Sequence, residues 1–258
     1  SVFLKTMGDD VFLKRITCPI IFLSPSNDFH GRIGDLETAV ENIQADDWRV
    51  TCSPHHNHQD TAPYEVATQL WFDEKLKGEF KWPATPKALL AVNENLSIMV
   101  EPDLSRKILG VDFYYTQQGK LAETRFDFQN TKHRFWHHRA GKLENGVAQA
   151  TLPLLSLDRP VWVLANVRYA LDEPVTGAGY YYGIYTAKDF NLSSVMQVVT
   201  PAQLKAGGVK LSDEPSKLIE DFEADWRKEW FSYRPESDWA ISTNKLYDPK
   251  WAAPEGAK

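Results

Sequence analysis

Two neighbouring stretches decide the fold of this chain: TCPIIFLSPSNDFHG at Thr17–Gly31 and WRVTCSPHHNH at Trp48–His58. Each reads as a short apolar strand followed at once by a polar turn. An amphipathic segment that begins near Asp35 lies between them and predicts a helix. A strand–helix–strand unit of this length forms a right-handed crossover with parallel strands. The two polar turns therefore follow the carboxyl ends of parallel strands, the edge where open α/β sheets keep their active sites.

Each polar turn carries one residue with catalytic chemistry, Asp28 in the first and His58 in the second. A serine hydrolase uses a histidine to take the proton of its nucleophile, and a carboxylate to hold that imidazole in the right tautomer. In the α/β-hydrolase order the serine comes first, then the acid, then the histidine. The order and spacing of Asp28 and His58 fit the last two members of such a triad.

The same residues resemble a known family. ITCPIIFLSPSNDFH resembles the acid-strand motif of α/β-hydrolases of the dienelactone hydrolase, acetyl xylan esterase and prolyl oligopeptidase type, and SPHHNH resembles their histidine loop. The helix ending in LWFDEKLKG is similar to their last helix. The resemblance implies that Asp28 is the triad acid and His58 the general base. It also implies an ester or peptide substrate and no cofactor.

The nucleophile motif of that family, Gly-Xaa-Ser-Xaa-Gly, does not occur in the sequence. Ser97, Ser193 and Ser194 lie downstream of Asp28 and His58, in the predicted sandwich, in the wrong order and without the strand–turn–helix setting of that motif. We therefore expect this chain to be the C-terminal part of a larger serine hydrolase. The nucleophile would come from a complementary hydrolase polypeptide or from a missing N-terminal segment. That segment would also supply a neighbour for the apolar strand IIFL, which we expect to be central and covered on both faces.

A stiff WPATP linker at Trp82–Pro86 marks a predicted domain boundary. After it the hydrophobic period changes to two, which is typical of strands, with turn signals such as Glu-Asn-Gly between them. The predicted fold class is α/β, the C-terminal part of an α/β-hydrolase sheet, followed by an all-β antiparallel sandwich. The predicted domains are 1–81 for the hydrolase part, 82–213 for the sandwich and 214–258 for an acidic aromatic tail that resembles the start of a further β domain. The candidate strands are 88–92, 96–101, 108–116, 134–138, 148–152, 161–170 and 180–185.

Three hypotheses compete with the triad. The first is a metal site at the polar turns, although its spacing matches no standard helical zinc motif. The second is a site at another cluster of histidines, which lies on a candidate strand. These histidines are explained more simply as part of a solvated or packed strand. The third is a non-catalytic carbohydrate- or protein-binding sandwich, whose aromatic side chains are equally well explained as core. The metal site would use Asp28, His30, His55, His56 and His58. The strand histidines are His133, His137 and His138, and the aromatic side chains are Trp136, Trp162 and Tyr180–Tyr182.

The composition limits the class of protein and the kinds of partner. The 258 residues are 43% hydrophobic and 25% charged, which is ordinary for a globular protein. The net charge of −6 gives no electrostatic case for nucleic acid, and no apolar run approaches the ~20 residues of a membrane helix. Cys18 and Cys52 fall at opposite ends of the two parallel strands. We therefore expect two buried free thiols and no disulfide.

Overall fold

The computed structural model describes residues 10–28, 33–56, 62–120, 134–179 and 183–213. The chain divides into two compact units, Ser1–Ser212 and Asp213–Lys258, and the helices and strands of the described ranges belong to the first. Several predictions fall outside the described residues: those on His30, His58, His133, Tyr180–Tyr182 and the tail 214–258.

The described part of the chain is mostly β-sheet. Its α-helices are α1 (Asp10–Leu13), α2 (Leu36–Asn42), α3 (Ala62–Phe72) and α4 (Pro201–Ala206). A 3-10 turn at Ile33–Asp35 leads into α2, and a π-helical turn at Asp73–Lys77 extends α3 as far as Gly78. The strands are β1 (Ile20–Leu23), β2 (Trp48–Thr51), β3 (Ala88–Val92), β4 (Leu96–Val100), β5 (Ile108–Thr116), β6 (His137–Ala140), β7 (Lys142–Glu144), β8 (Val147–Leu152), β9 (Val161–Gly179), β10 (Gly183–Ser193) and β11 (Gln197–Val199).

The predicted parallel strand pair with a helix between its strands is present. β1 and β2 are parallel, with Ile20 opposite Trp48 and Leu23 opposite Thr51, and α2 lies between them in sequence. Within this chain IIFL is not covered on both faces: all four of its residues are half-buried, and within the described ranges β1 has only β2 as a neighbouring strand. The expected neighbour from outside the chain stays a prediction.

The remaining strands form two antiparallel sheets, one in the order β10-β9-β5-β6 with β11 beside β9, and one in the order β3-β4-β8-β7. This arrangement is compatible with the predicted β-sandwich. β7 and β8 meet at Asn145 and Gly146, both at positive φ, as a tight hairpin requires. The two-stranded parallel sheet is much smaller than an α/β-hydrolase sheet, so that part of the predicted fold class stays a proposal.

Five strand predictions need correction, those for β6, β7, β9, β10 and β11. β6 begins at His137 instead of 134, because only His137–Ala140 pair with β5. β10 spans Gly183–Ser193 instead of 180–185, since it stays paired with β9, and the three-residue β11 was missed. β9 continues nine residues past 170, since it pairs with β10 as a long antiparallel ribbon. β7 was missed because only three residues pair there.

One hydrophobic core spans the predicted boundary at residue 82. Leu70 and Trp71 of α3 belong to the same buried cluster as Leu96 and Phe190 from the two antiparallel sheets. The Trp82 ring itself lies 5.0 Å from the Phe190 ring and edge-on to it. Packing is therefore continuous from α3 through the linker into the sheets.

Both cysteines are free. Cys52 is buried as predicted, whereas Cys18 is exposed, because it lies just before the half-buried strand β1. No helix among the described residues is long and apolar enough to cross a membrane.

Candidate functional site

The hydrogen-bond ladder between β1 and β2 continues past the ends of both strands. Ser24 N–H donates to the Thr51 carbonyl at 3.0 Å, and Ser26 N–H donates to the Ser53 carbonyl at 3.0 Å. Asn27 N–H then donates to the His56 carbonyl at 2.9 Å. The two polar turns are therefore joined along their length, up to the residue before Asp28 and the second residue before His58.

Asn27 fixes the first turn to the sheet beside it. Its side-chain N–H donates to the Arg134 carbonyl at 2.7 Å, and its side-chain oxygen accepts from the Trp136 indole N–H at 2.8 Å. The same oxygen also accepts from the Ser26 hydroxyl, which itself accepts from His55 N–H at 2.8 Å. Asn27 is only 3% exposed. Both turns are thereby tied to the segment that leads into β6.

Asp28 sits at the end of this network and is buried, with 5% of its surface exposed. Its N–H donates to the Pro25 carbonyl at 3.3 Å, which closes the turn. The structure thus places Asp28 directly after a residue bonded to the histidine turn. His58, the second predicted site residue, lies outside the described residues, so the Asp28–His58 pairing stays a prediction.

The histidine turn is held in an unusual backbone conformation. His55 has a φ of 65°, in the left-handed region that non-glycine residues seldom adopt. His56 follows, and its Nδ1 lies 2.8 Å from the Pro54 carbonyl. Burial lowers the pKa of His55 below its usual range, and the nearby His56 lowers it further, although a hydrogen bond to the Trp136 backbone opposes both.

A row of rings borders the two turns. Phe135 is 55% exposed. Its ring centroid lies 5.4 Å from the His55 ring, tilted at 59°, and 5.1 Å from the His137 ring, edge-on at 84°. His137 in turn stacks on the buried Tyr115 at 5.0 Å and 26°. Burial lowers the pKa of His137. We call the three rings of His55, Phe135 and His137 the ring row.

A second buried network anchors β2 to the five-stranded sheet. Cys52 N–H donates to the Ser193 hydroxyl at 2.7 Å, and that hydroxyl donates to the Asn166 side-chain oxygen at 2.6 Å. The Asn166 amide donates back to the Cys52 carbonyl at 3.1 Å. The neighbouring Ser194 hydroxyl accepts from Ala165 N–H. Both serines are buried and hydrogen-bonded to backbone N–H groups, which is a structural role.

Another aspartate and histidine meet elsewhere. Asp112 on β5 and His138 on β6 lie 2.7 Å apart, from carboxylate oxygen to Nε2. Tyr114 is next to them, and burial together with the Asp112 charge raises its pKa to about 12. This pair agrees with the predicted solvated strand, since 48% of the His138 side chain is exposed.

Neither a metal site nor a tryptophan-lined binding surface is seen in the described ranges. Among the residues that the structure describes, no three potential ligands are grouped to hold a metal ion. Trp136 and Trp162 are buried, at 1% and 2% exposure, which confirms the core interpretation for both.

Sequence reasoning missed three members of this region: Asn27, Ser26 and Phe135. The only sequence signal was the Ser-Asn-Asp motif, which predicts a turn but does not indicate which distant residues the turn contacts. The bonds from Asn27 to Arg134 and Trp136 join residues about a hundred positions apart, and no local pattern connects them.

Comparison with known proteins adds nothing to this description: no family model, no curated protein and no solved structure matches the chain. The geometry of the two turns and the resemblance of their residues therefore carry the functional argument.

Proposed function

We propose that the two joined turns form the acid–histidine half of a serine hydrolase site of the α/β-hydrolase type. Asp28 orients His58 and stabilises its charged form. His58 takes the proton of a serine nucleophile and then gives it to the leaving group of an ester or peptide. The observation that carries the proposal is the bond from Asn27 N–H to the His56 carbonyl, which sets the two turns side by side.

Burial supports the role of Asp28. A carboxylate that holds an imidazole tautomer works best where water does not compete for its oxygens, and Asp28 is 5% exposed. The turn that carries Asp28 is also held in place, since the Asn27 side chain hydrogen-bonds to the Trp136 indole and to the Arg134 carbonyl. A dry, fixed acid next to a histidine-bearing turn is what this chemistry requires.

We propose further that the serine comes from outside the 258 residues, on a complementary polypeptide or a preceding segment. The edge strand β1 supports this. Within the described ranges it pairs with β2 alone, and its residues Ile20–Leu23 are apolar but only half-buried. A further strand would pair with the edge of β1 and enlarge the sheet on the side where the nucleophile is expected, and segments packed on the larger sheet would cover these side chains.

The proposal is tested by fluorophosphonate labelling of the protein purified with any chain that accompanies it. We expect a labelled serine outside residues 1–258, and we expect both Asp28→Asn and His58→Gln to slow labelling by about 10²-fold or more. Asp112→Asn is the matched control and should label at the original rate. The proposal is wrong if no species is labelled, if the label lies on a serine of this chain, or if the Asp28 and His58 variants label normally.

A further inference from the structure

We infer that the five-stranded sheet sets the conformation of the histidine turn, and that Trp136 is a positioning residue for the reaction of His58. The part of this inference that concerns catalysis rests on the proposed function. The part that concerns the backbone of the turn does not, because that backbone can be followed without a nucleophile.

The backbone of the histidine turn needs support from outside the turn. His55 has a φ of 65°, a left-handed conformation that is unfavourable for a residue with a Cβ. Such a conformation persists only where the surrounding contacts hold it. His55 N–H donates to the Ser26 hydroxyl at 2.8 Å, and the next carbonyl, that of His56, accepts from Asn27 N–H at 2.9 Å. The histidine turn therefore depends on the position of Ser26 and Asn27 in the acid turn.

Trp136 holds these two acid-turn residues. The Asn27 side-chain oxygen accepts from the Trp136 indole N–H at 2.8 Å and from the Ser26 hydroxyl at 3.2 Å, which uses both of its lone pairs. Since the Ser26 hydroxyl donates to Asn27, its oxygen is free to accept from His55 N–H. In the ring row, Phe135 next to Trp136 also contacts the His55 ring. A continuous series of hydrogen bonds thus runs from the indole to the left-handed residue.

The same sheet holds the start of the histidine turn. Cys52 N–H donates to the hydroxyl of Ser193 on β10, and the Cys52 carbonyl accepts from the amide of Asn166 on β9. Trp136 lies directly before β6, at the other edge of this sheet. The sheet therefore fixes the turn directly at Cys52 and, through the acid turn, at His55.

This support bears on the chemistry that we propose. A histidine that moves a proton must keep its ring within hydrogen-bond reach of both the acid and the nucleophile. Misplacement by about 1 Å can slow such a reaction about 10²-fold. His58 follows His55 by three residues, so a change in the His55 backbone displaces it. The sandwich is then a working part of the proposed site.

Trp136→Phe tests the inference in the whole protein, because it removes the indole N–H and keeps a buried aromatic ring. Trp162→Phe is the matched control. Trp162 lies in the same buried cluster, but its indole N–H has no hydrogen-bond partner in the described part of the chain. We expect Trp136→Phe to slow fluorophosphonate labelling about tenfold, while Trp162→Phe labels at the original rate. Ser26→Ala interrupts the same series of bonds and should act as Trp136→Phe does.

The pH dependence of labelling separates positioning from a loss of folded protein. Labelling requires neutral His58, so its rate rises with pH through the His58 pKa. A nearby carboxylate raises the pKa of an imidazole. A looser contact with Asp28 should therefore move the midpoint to lower pH, by about half a unit in Trp136→Phe. A mere loss of folded protein would reduce the amount labelled and leave the midpoint unchanged.

Amide hydrogen exchange, measured by NMR, follows the backbone without a nucleophile. We expect the Asn27 and His55 amides to exchange about tenfold faster in Trp136→Phe and at the original rate in Trp162→Phe. Unchanged exchange in Trp136→Phe, or equal acceleration in Trp162→Phe, would overturn the inference. An original rate and midpoint of labelling in Trp136→Phe would overturn its catalytic part. If the original protein is not labelled at all, the hydrolase proposal fails, and the exchange rates still decide whether Trp136 holds the turn.

Discussion

An aspartate lies near histidines in two regions of this molecule, and the regions differ in burial. Asp112 and His138 meet on neighbouring strands at 2.7 Å, but the His138 side chain is 48% exposed. Asp28 lies in a turn that is itself buried and tied to the histidine turn by backbone hydrogen bonds. Water screens and competes for the first pair, whereas it reaches little of Asp28. A short distance between two side chains is therefore weaker support for a catalytic role than the burial of the residues.

The largest expected effect comes from Asn27, which builds that environment. Asn27→Ala removes the acceptor of the Trp136 indole and two further bonds. Because these groups are buried, we expect the free energy of unfolding to fall by about 2–4 kcal/mol, measured by urea denaturation. Asn42→Ala is the control, since Asn42 bonds at the surface, to the Thr38 carbonyl, and should cost less than about 1 kcal/mol. Equal losses would mean that the turn network is not specially stabilising.

Replacing Ser193 should have the next largest effect on stability, because its hydroxyl accepts the Cys52 N–H just before the histidine turn. Ser193→Ala deprives Cys52 N–H and the Asn166 oxygen of their shared hydroxyl, in a site with 0% exposure. We expect the free energy of unfolding to fall by about 1–3 kcal/mol. Urea denaturation measures this directly. A change near zero would show that another group replaces the hydroxyl.

The exposed pair should contribute least among the hydrogen bonds. Asp112→Asn should lower the free energy of unfolding by less than about 1 kcal/mol, because hydrogen-bonded pairs at the surface contribute little. A loss as large as that of Asn27→Ala would remove the contrast between the two regions.

The smallest effect concerns pH. The folded pKa of His137 is lowered by burial, so the unfolded chain takes up its proton first as the pH falls. His137 therefore supports the fold fully above about pH 6.5 and loses that support as the pH falls through its folded pKa. In His137→Asn the fall in Tm between pH 7.5 and pH 5 should be smaller than in the original protein, by less than about 3 °C. A larger fall in the variant would contradict this sign.

The sequence predicted the local elements of this fold better than their packing. The parallel pair, the position of α2 and the stop at Gly78 follow from short-range signals: an apolar run, a helical period and a left-handed glycine with φ at 70°. The burial of β1 did not follow from its composition, because burial depends on which strand lies beside it. The core shared across residue 82 depends on tertiary contacts that the linker composition does not encode.

The candidate site shows the same division. Asp28 was singled out because an aspartate after a strand has a known use, and its burial is compatible with that use. Asn27 and Phe135 were not found, because the contacts that give them their place are tertiary. Ser193 was set aside as a nucleophile on grounds of order, but its structural bond to Cys52 N–H could not be read from sequence.

The central claim is that Asp28 holds His58, and proton NMR of histidine-labelled protein tests it most directly. We predict a strongly deshielded imidazole N–H signal, protected from exchange by burial. It should disappear in both Asp28→Asn and His58→Gln, and it should persist in Asp112→Asn. A spectrum without such a signal, or one in which it survives Asp28→Asn, would contradict the account.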